Sequence, residues 1–138
     1  MKARDVMSHP VITLRPHLPT RAAAARLVAH GFRAAPVVTA EGVVLGIVTE
    51  ADLLRGQALN DEVATGPNPP VADLMTSGLV AVAPDDDVAG IGTLMLDRGV
   101  RVVPVLDHGH LVGIITARDV LRRTAWRELV RNGYGAAV

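Results

Sequence analysis

The chain has 138 residues, is 49% apolar but only 2% aromatic, and balances 14 Lys plus Arg against 14 Asp plus Glu with no cysteine. That length suits one compact domain or two half-size units and can bury about 68–70% of the unfolded surface without a covalent staple. The composition excludes a disulfide framework, a Cys-ligated zinc and a thiol nucleophile. It also argues against a nucleic-acid coat that needs positive charge, and it leaves apolar runs too short to span a bilayer.

In chain order, Asp5-Val6-Met7-Ser8 comes first, and Val11 to Leu14 is predicted as a short strand broken by Pro16. A helix is predicted over Thr20 to His30, with Ala23, Ala24, Leu27 and Val28 at helical spacing and Gly31 placed for a left-handed cap. Ala22 to Ala25 mark a helix that approaches its neighbour closely, in a core that Ala, Val, Leu and Ile must fill almost unaided. A hairpin follows, Ala35 to Val38 with Val43 to Val48, turning at Gly42. A second helix starts at Glu50. Gly66-Pro67-Asn68-Pro69-Pro70 is a stiff linker that cannot be helical.

The pattern then returns. Asp73-Leu74-Met75-Thr76 precedes a strand from Leu79 to Val82, which Pro84 breaks. Asp85-Asp86-Asp87 suits the positive end of a helix running to Arg98, with Val88, Ile91, Leu94 and Met95 on one face and Gly99 as its cap. The second hairpin is Val102 to Leu106 with His110 to Ile115, and a last helix starts at Ala117. Asp5 aligns with Asp73, Pro16 with Pro84, Gly31 with Gly99 and Pro36 with Pro104, all at a shift of 68. After one extra residue in the first hairpin turn, Gly46 aligns with Gly113, Thr49 with Thr116, Asp52 with Asp119 and Arg55 with Arg122, at a shift of 67. A single slip in a polar turn is where insertions are tolerated. The chain therefore reads as α+β, a β-α-β-β-α unit twice.

These residues resemble tandem CBS domains, the pair also called a Bateman module. The resemblance rests on Asp-Val-Met-Ser at 5–8, Asp-Leu-Met-Thr at 73–76, the Pro-Val strands, and the paired turns Gly46-Ile47-Val48-Thr49-Glu50-Ala51-Asp52 and Gly113-Ile114-Ile115-Thr116-Ala117-Arg118-Asp119. It delimits repeat 1 at 3–58, a linker at 59–70, repeat 2 at 71–124 and a C-terminal extension at 125–138. It implies repeats packed by pseudo-twofold symmetry through their sheets, with two clefts between them for an adenosine-containing ligand: AMP, ADP, ATP or S-adenosylmethionine. By this analogy the Asp119 cleft uses Ile12, Phe32, Arg33, Ala34, Arg101, Val102, Ile114, Thr116, Arg118 and Asp119. The Asp52 cleft uses Val80, Val100, Arg101, Arg33, Ala34, Ile47, Thr49 and Asp52.

The residues themselves point to chemistry at each turn. Thr49 and Thr116 end a strand and open a helix, where the first amides are unpaired and the dipole is positive, a setting for an anion. Asp52 and Asp119 lie one turn further on the same face, and a carboxylate can accept both hydroxyls of a ribose diol. The competing reading is a capping box, in which Thr and Asp satisfy each other's backbone amides. Between Thr and Asp the second copy carries Ala117-Arg118 and the first Glu50-Ala51, so the Asp119 cleft is expected to bind the tighter or more phosphorylated ligand. Arg118 could equally be a solvated helix residue, and Arg33 and Arg101 could share phosphate or merely lie at the surface.

Other features carry less. His108-Gly109-His110 offers two ligands on a turn, too few for a metal site. Asp85-Asp86-Asp87 reads as a solvated helix start. Arg118, Arg122, Arg123, Arg127 and Arg131 make the last helix basic around Trp126, Leu129 and Val130, and the end from Gly133 reads as frayed. A solvated helix, a docking helix and a nucleic-acid contact are all open there, though the last lacks a strong positive field. The only Lys is Lys2, and Ser8 and Ser77 stand outside any nucleophile elbow, so no catalytic set is visible and an enzyme is not expected.

The leading expectation is a cytoplasmic, ligand-sensing regulatory module with an adenosine ligand and an unknown regulated protein, which family members often carry fused and which is not attached here. The family also implies a flat homodimer, for which Leu27, Val28, Leu53, Met95 and Val120 are candidate contacts that could equally be core. A ligand-free dimerising adaptor is the alternative.

Overall fold

The computed structural model describes residues 1–9, 12–59 and 68–131. Helix α1 (Ala3–Val6) is followed by α2 (Thr20–His30), strands β1 (Ala34–Val38) and β2 (Val44–Thr49), and α3 (Glu50–Leu59). After a 3-10 turn at Val71–Asp73 come α4 (Val88–Arg98), β3 (Val102–Asp107), β4 (His110–Thr116) and α5 (Ala117–Arg131). The strands form two small sheets, β1-β2 and β3-β4. Helices α2 and α4 each stop at a left-handed glycine, Gly31 at φ 69° and Gly99 at φ 64°, conformations that a side chain would oppose. No helix among the described residues is long and apolar enough to cross a membrane.

The chain forms two compact units. One gathers Met1–Pro10, Val80–His108 and Val112–Val138, the other Val11–Leu79 and Gly109–Leu111. These are not the contiguous repeats of the sequence. The segment at 5–8 joins the unit holding the second hairpin, where Ser8 bridges Ile114 in antiparallel fashion. Its counterpart, 73–76, joins the unit holding the first hairpin, where Thr76 bridges Ile47 and the two exchange backbone bonds of 2.8 and 3.0 Å. The close approach explains a repeated glycine. A Cβ on Gly46 would lie 2.7 Å from the sulfur of Met75, and one on Gly113 would collide with Met7.

In the first-hairpin unit Leu14, Ala23, Leu27, Ala35, Val37, Val48, Leu53 and Val71 form the core. In the other, Ala3, Val6, Val82, Val88, Ile91, Met95, Val103, Val105, Ile115 and Val120 do so. The expected strands at Val11–Leu14 and Leu79–Val82 are corrected. Val11 lies outside the described residues, and the segments touch the sheets only through single parallel bridges, Leu14 to Val37 and Val82 to Val105. Each is too short, and too soon followed by proline, to extend a ladder. The first hairpin has the longer connection, residues 39–43 against 108–109 in the second, and it carries a bulge in β2. Val37 faces Gly46 while Val38 faces Val44, so Leu45 bulges. The second hairpin turns tightly on His108 (φ 51°) and Gly109 (φ 82°), the left-handed pair that a two-residue loop requires.

The acidic run before α4 does more than meet the dipole. Asp85 pairs with Arg4 and with Lys2 at 3.4 Å, and Asp87 lies 3.8 Å from the N-terminal amine. Of the linker, residues 60–67 lie outside the described residues. Its end is tied to α2, since Thr20 donates both its amide (2.9 Å) and its hydroxyl (2.6 Å) to the Pro69 carbonyl.

Candidate functional site

Both Thr-x-x-Asp turns form at a strand-to-helix junction, because the β-branched run ends where the first helical residue begins. Thr49 donates its amide to Asp52 Oδ2 at 2.9 Å, and the Asp52 amide donates to Thr49 Oγ1 at 3.2 Å. Thr116 and Asp119 repeat this at 2.8 and 3.2 Å. Each is a reciprocal capping box. The neighbouring amides are also engaged, Glu50 by the Arg33 carbonyl at 2.9 Å and Ala117 by the Arg101 carbonyl at 2.7 Å. The expectation of free helix amides for an anion is thereby corrected. The cap takes up the Thr and Asp amides, and the carbonyl just before β1 or β3 takes up the amide that follows the Thr.

The carboxylates differ. Asp52 is 6% exposed, and its Oδ1 accepts from the guanidinium of Arg55, so each oxygen has a partner within the chain. Asp119 is half-buried, and among the described residues its Oδ1 has no partner. It lines a cavity of about 480 Å³ with Val6, Ser8, Arg122 and Arg123. That volume falls within the range of about 300–1,000 Å³ common for small-molecule sites. The lining therefore brings together a carboxylate, a Ser hydroxyl and two arginines, of which Arg123 also donates to the Asp5 carbonyl at 3.4 Å.

The remaining predicted residues fall within the two units as follows. Arg33 and Ala34 adjoin the Asp52 turn, with Ala34 paired to Thr49 across the sheet. Ile47 is buried beside them, and Ile12 and Phe32 pack on the core of the same unit. Val80 and Val100 pack on the core of the other unit, where Ile114 is buried and Val102 begins β3. Val100 and Arg101 also line an apolar cavity of about 540 Å³ with Gly92, Met95, Leu96, Gly99, Ala117, Val120 and Leu121. Arg118 is exposed and absent from the lining at Asp119.

Ser8, Arg122 and Arg123 are the residues that sequence reasoning missed. Positions three and four after an acid share its helix face, which was the available signal for the two arginines. Of the candidate dimer contacts, Leu27, Leu53, Met95 and Val120 are core side chains, whereas Val28 is 81% exposed. Leu54, Leu96 and Leu121 are exposed as well. No cluster of three or more metal-ligating side chains occurs among the described residues. The side chains of Trp126, Leu129 and Val130 lie outside the described part.

Comparison with known proteins agrees with this architecture. The CBS domain family model matches residues 3–58 and 71–125. The A-adding tRNA nucleotidyltransferase of Aquifex aeolicus is 28% identical over 122 residues, 88% of this chain. The chain spans only 14% of that protein, and less than two thirds of several other curated relatives. The crystal structure of the CBS domain pair of protein MJ0100, in complex with 5′-methylthioadenosine and S-adenosyl-L-methionine, matches with a TM-score of 0.82 at 26% identity, covering 92% of this chain and 98% of that one. The structure of CBSX2 in complex with AMP matches with a TM-score of 0.76 at 25% identity, covering 92% and 98%. With two matched segments spanning most of its length, two small sheets and a duplicated strand-to-helix turn, the chain belongs to the CBS domain family as a tandem pair.

Proposed function

We propose that this chain is a regulatory module that binds an adenosine-containing ligand at the Asp119 turn. The observation that carries this reading is Asp119, whose Oδ1 has no partner among the described residues and which lines one cavity with Ser8, Arg122 and Arg123. Asp119 accepts the ribose hydroxyls, and its cap with Thr116 holds the carboxylate in position for them. Arg122 and Arg123 favour a ligand bearing phosphate, since a guanidinium matches phosphate oxygens with two parallel bonds. The adenosine ligands of MJ0100 and CBSX2 support the ligand class. The remaining residues assigned by resemblance, Ile12, Phe32, Arg33, Ala34, Arg101, Val102, Ile114 and Arg118 among them, belong to the same proposal.

Binding alters function through differential affinity for two packing arrangements. The exposed Val28, Leu54, Leu96 and Leu121 provide apolar helix surface for a second copy or a regulated protein. The reading is tested by calorimetry and thermal melting of the full chain with AMP, ADP, ATP and S-adenosylmethionine. One of them gives saturable heat, and at 100-fold excess over its Kd it raises Tm by roughly 5–10 °C. A ligand-free adaptor is the second reading, favoured by the fact that both caps close on themselves. No heat and no melting shift with any of the four would select it.

A further inference from the structure

We infer that the chain takes one adenosine ligand, not two, because Arg55 occupies the Asp52 carboxylate while its counterpart Arg122 leaves Asp119 open. This inference rests on the reading that a Thr-x-x-Asp turn holds the ligand's ribose. The two turns carry the same Thr, Asp and Arg at the same spacing, and both make the same capping box. They diverge at the arginine. Arg55 donates to Asp52 Oδ1 and the Thr49 amide to Oδ2, and because this acid is only 6% exposed a ribose hydroxyl reaches Oδ1 only where the guanidinium now lies. Among the described residues Arg122 forms no ion pair, and it lines the cavity beside Asp119.

The surroundings supply the cause. Leu74 and Val6 are equivalent positions in the repeat, and so are Gly56 and Arg123. Leu74 lies so close to α3 that a Cβ on Gly56 would come within 2.5 Å of its Cδ1. The shorter Val6 instead borders the open cavity, together with Ser8. Where the longer leucine packs beneath the helix, the arginine lies against its own acid. Where valine stands, the space stays open and the arginine faces it. Arg55 is thus a specificity-determining residue, since a ligand at the Asp52 turn must first displace a charge-assisted hydrogen bond.

The test is calorimetry with AMP on the full chain and on Arg55→Gln, Asp119→Ala and Arg55→Gln/Asp119→Ala. The wild type binds one AMP, and Asp119→Ala weakens that binding by about 10- to 100-fold. Arg55→Gln raises the stoichiometry to two, and the double variant regains one site at least about tenfold tighter than any residual binding in Asp119→Ala. A wild type with two sites overturns the inference, and so does an Arg55→Gln variant that stays at one. If neither wild type nor Arg55→Gln binds AMP, the ligand reading itself fails and this inference falls with it. Arg55→Met repeats the measurement without an amide able to hold Asp52.

Discussion

The turn at Asp52 and the turn at Asp119 share sequence, backbone and cap, yet one carboxylate is closed and the other is open. Positions outside the motif differ between the two turns, Leu74 against Val6 and Gly56 against Arg123, and under the inference above they set the direction that the arginine takes. A duplicated motif therefore does not imply a duplicated site. The motif supplies the acid and fixes its orientation. The packing beneath the helix decides whether that acid is available.

Three sets of variants sharpen or break this comparison. The largest effects belong to the cores. Leu27→Ala and Met95→Ala stand at equivalent positions in the two units, 1% and 5% exposed, and each is expected to cost about 2–5 kcal/mol in urea unfolding. A loss under about 1 kcal/mol at either would mean that its unit is not packed as described.

Next come the repeated glycines. Gly46→Val and Gly113→Val both force a methionine out of place, at a cost of roughly 1–3 kcal/mol. Only Gly113→Val should also weaken AMP binding, because it displaces the Met7–Ser8 segment that borders the Asp119 cavity. Equal weakening by both would undo the distinction between the turns.

The smallest effects are at the caps. Thr49→Ala and Thr116→Ala each remove one side-chain bond to a helix amide and are expected to cost about 1 kcal/mol by thermal melting. A cost near zero at one of them would show that its box is not holding the helix start.

Much of this architecture is legible in the sequence, for local reasons. The helix starts at Glu50 and Ala117 follow from a β-branched run meeting a capping pair, and the stops at Gly31 and Gly99 follow from a left-handed position that only glycine occupies easily. What is not legible is partnership. The Asp-Val-Met-Ser segment precedes the first repeat yet pairs with β4. A duplicated sequence offers it two equivalent hairpins, with Gly46 and Gly113 equally able to receive its methionine. The leading strands fail for a related reason, since alternation at Val11–Leu14 marks an extended segment but not how many residues a neighbour will bridge. The acids are named by spacing alone. The state of their oxygens is not, because the same Asp-x-x-Arg spacing pairs Arg55 with Asp52 but leaves Arg122 without an ion pair to Asp119 among the described residues.

The most direct test is a titration of AMP into the wild-type chain, Asp119→Ala and Asp52→Ala, followed by calorimetry. The account predicts that Asp119→Ala weakens binding by about 10- to 100-fold, the worth of one charge-assisted hydrogen bond, and that Asp52→Ala stays within about twofold of wild type. Binding that survives Asp119→Ala and disappears in Asp52→Ala would contradict it.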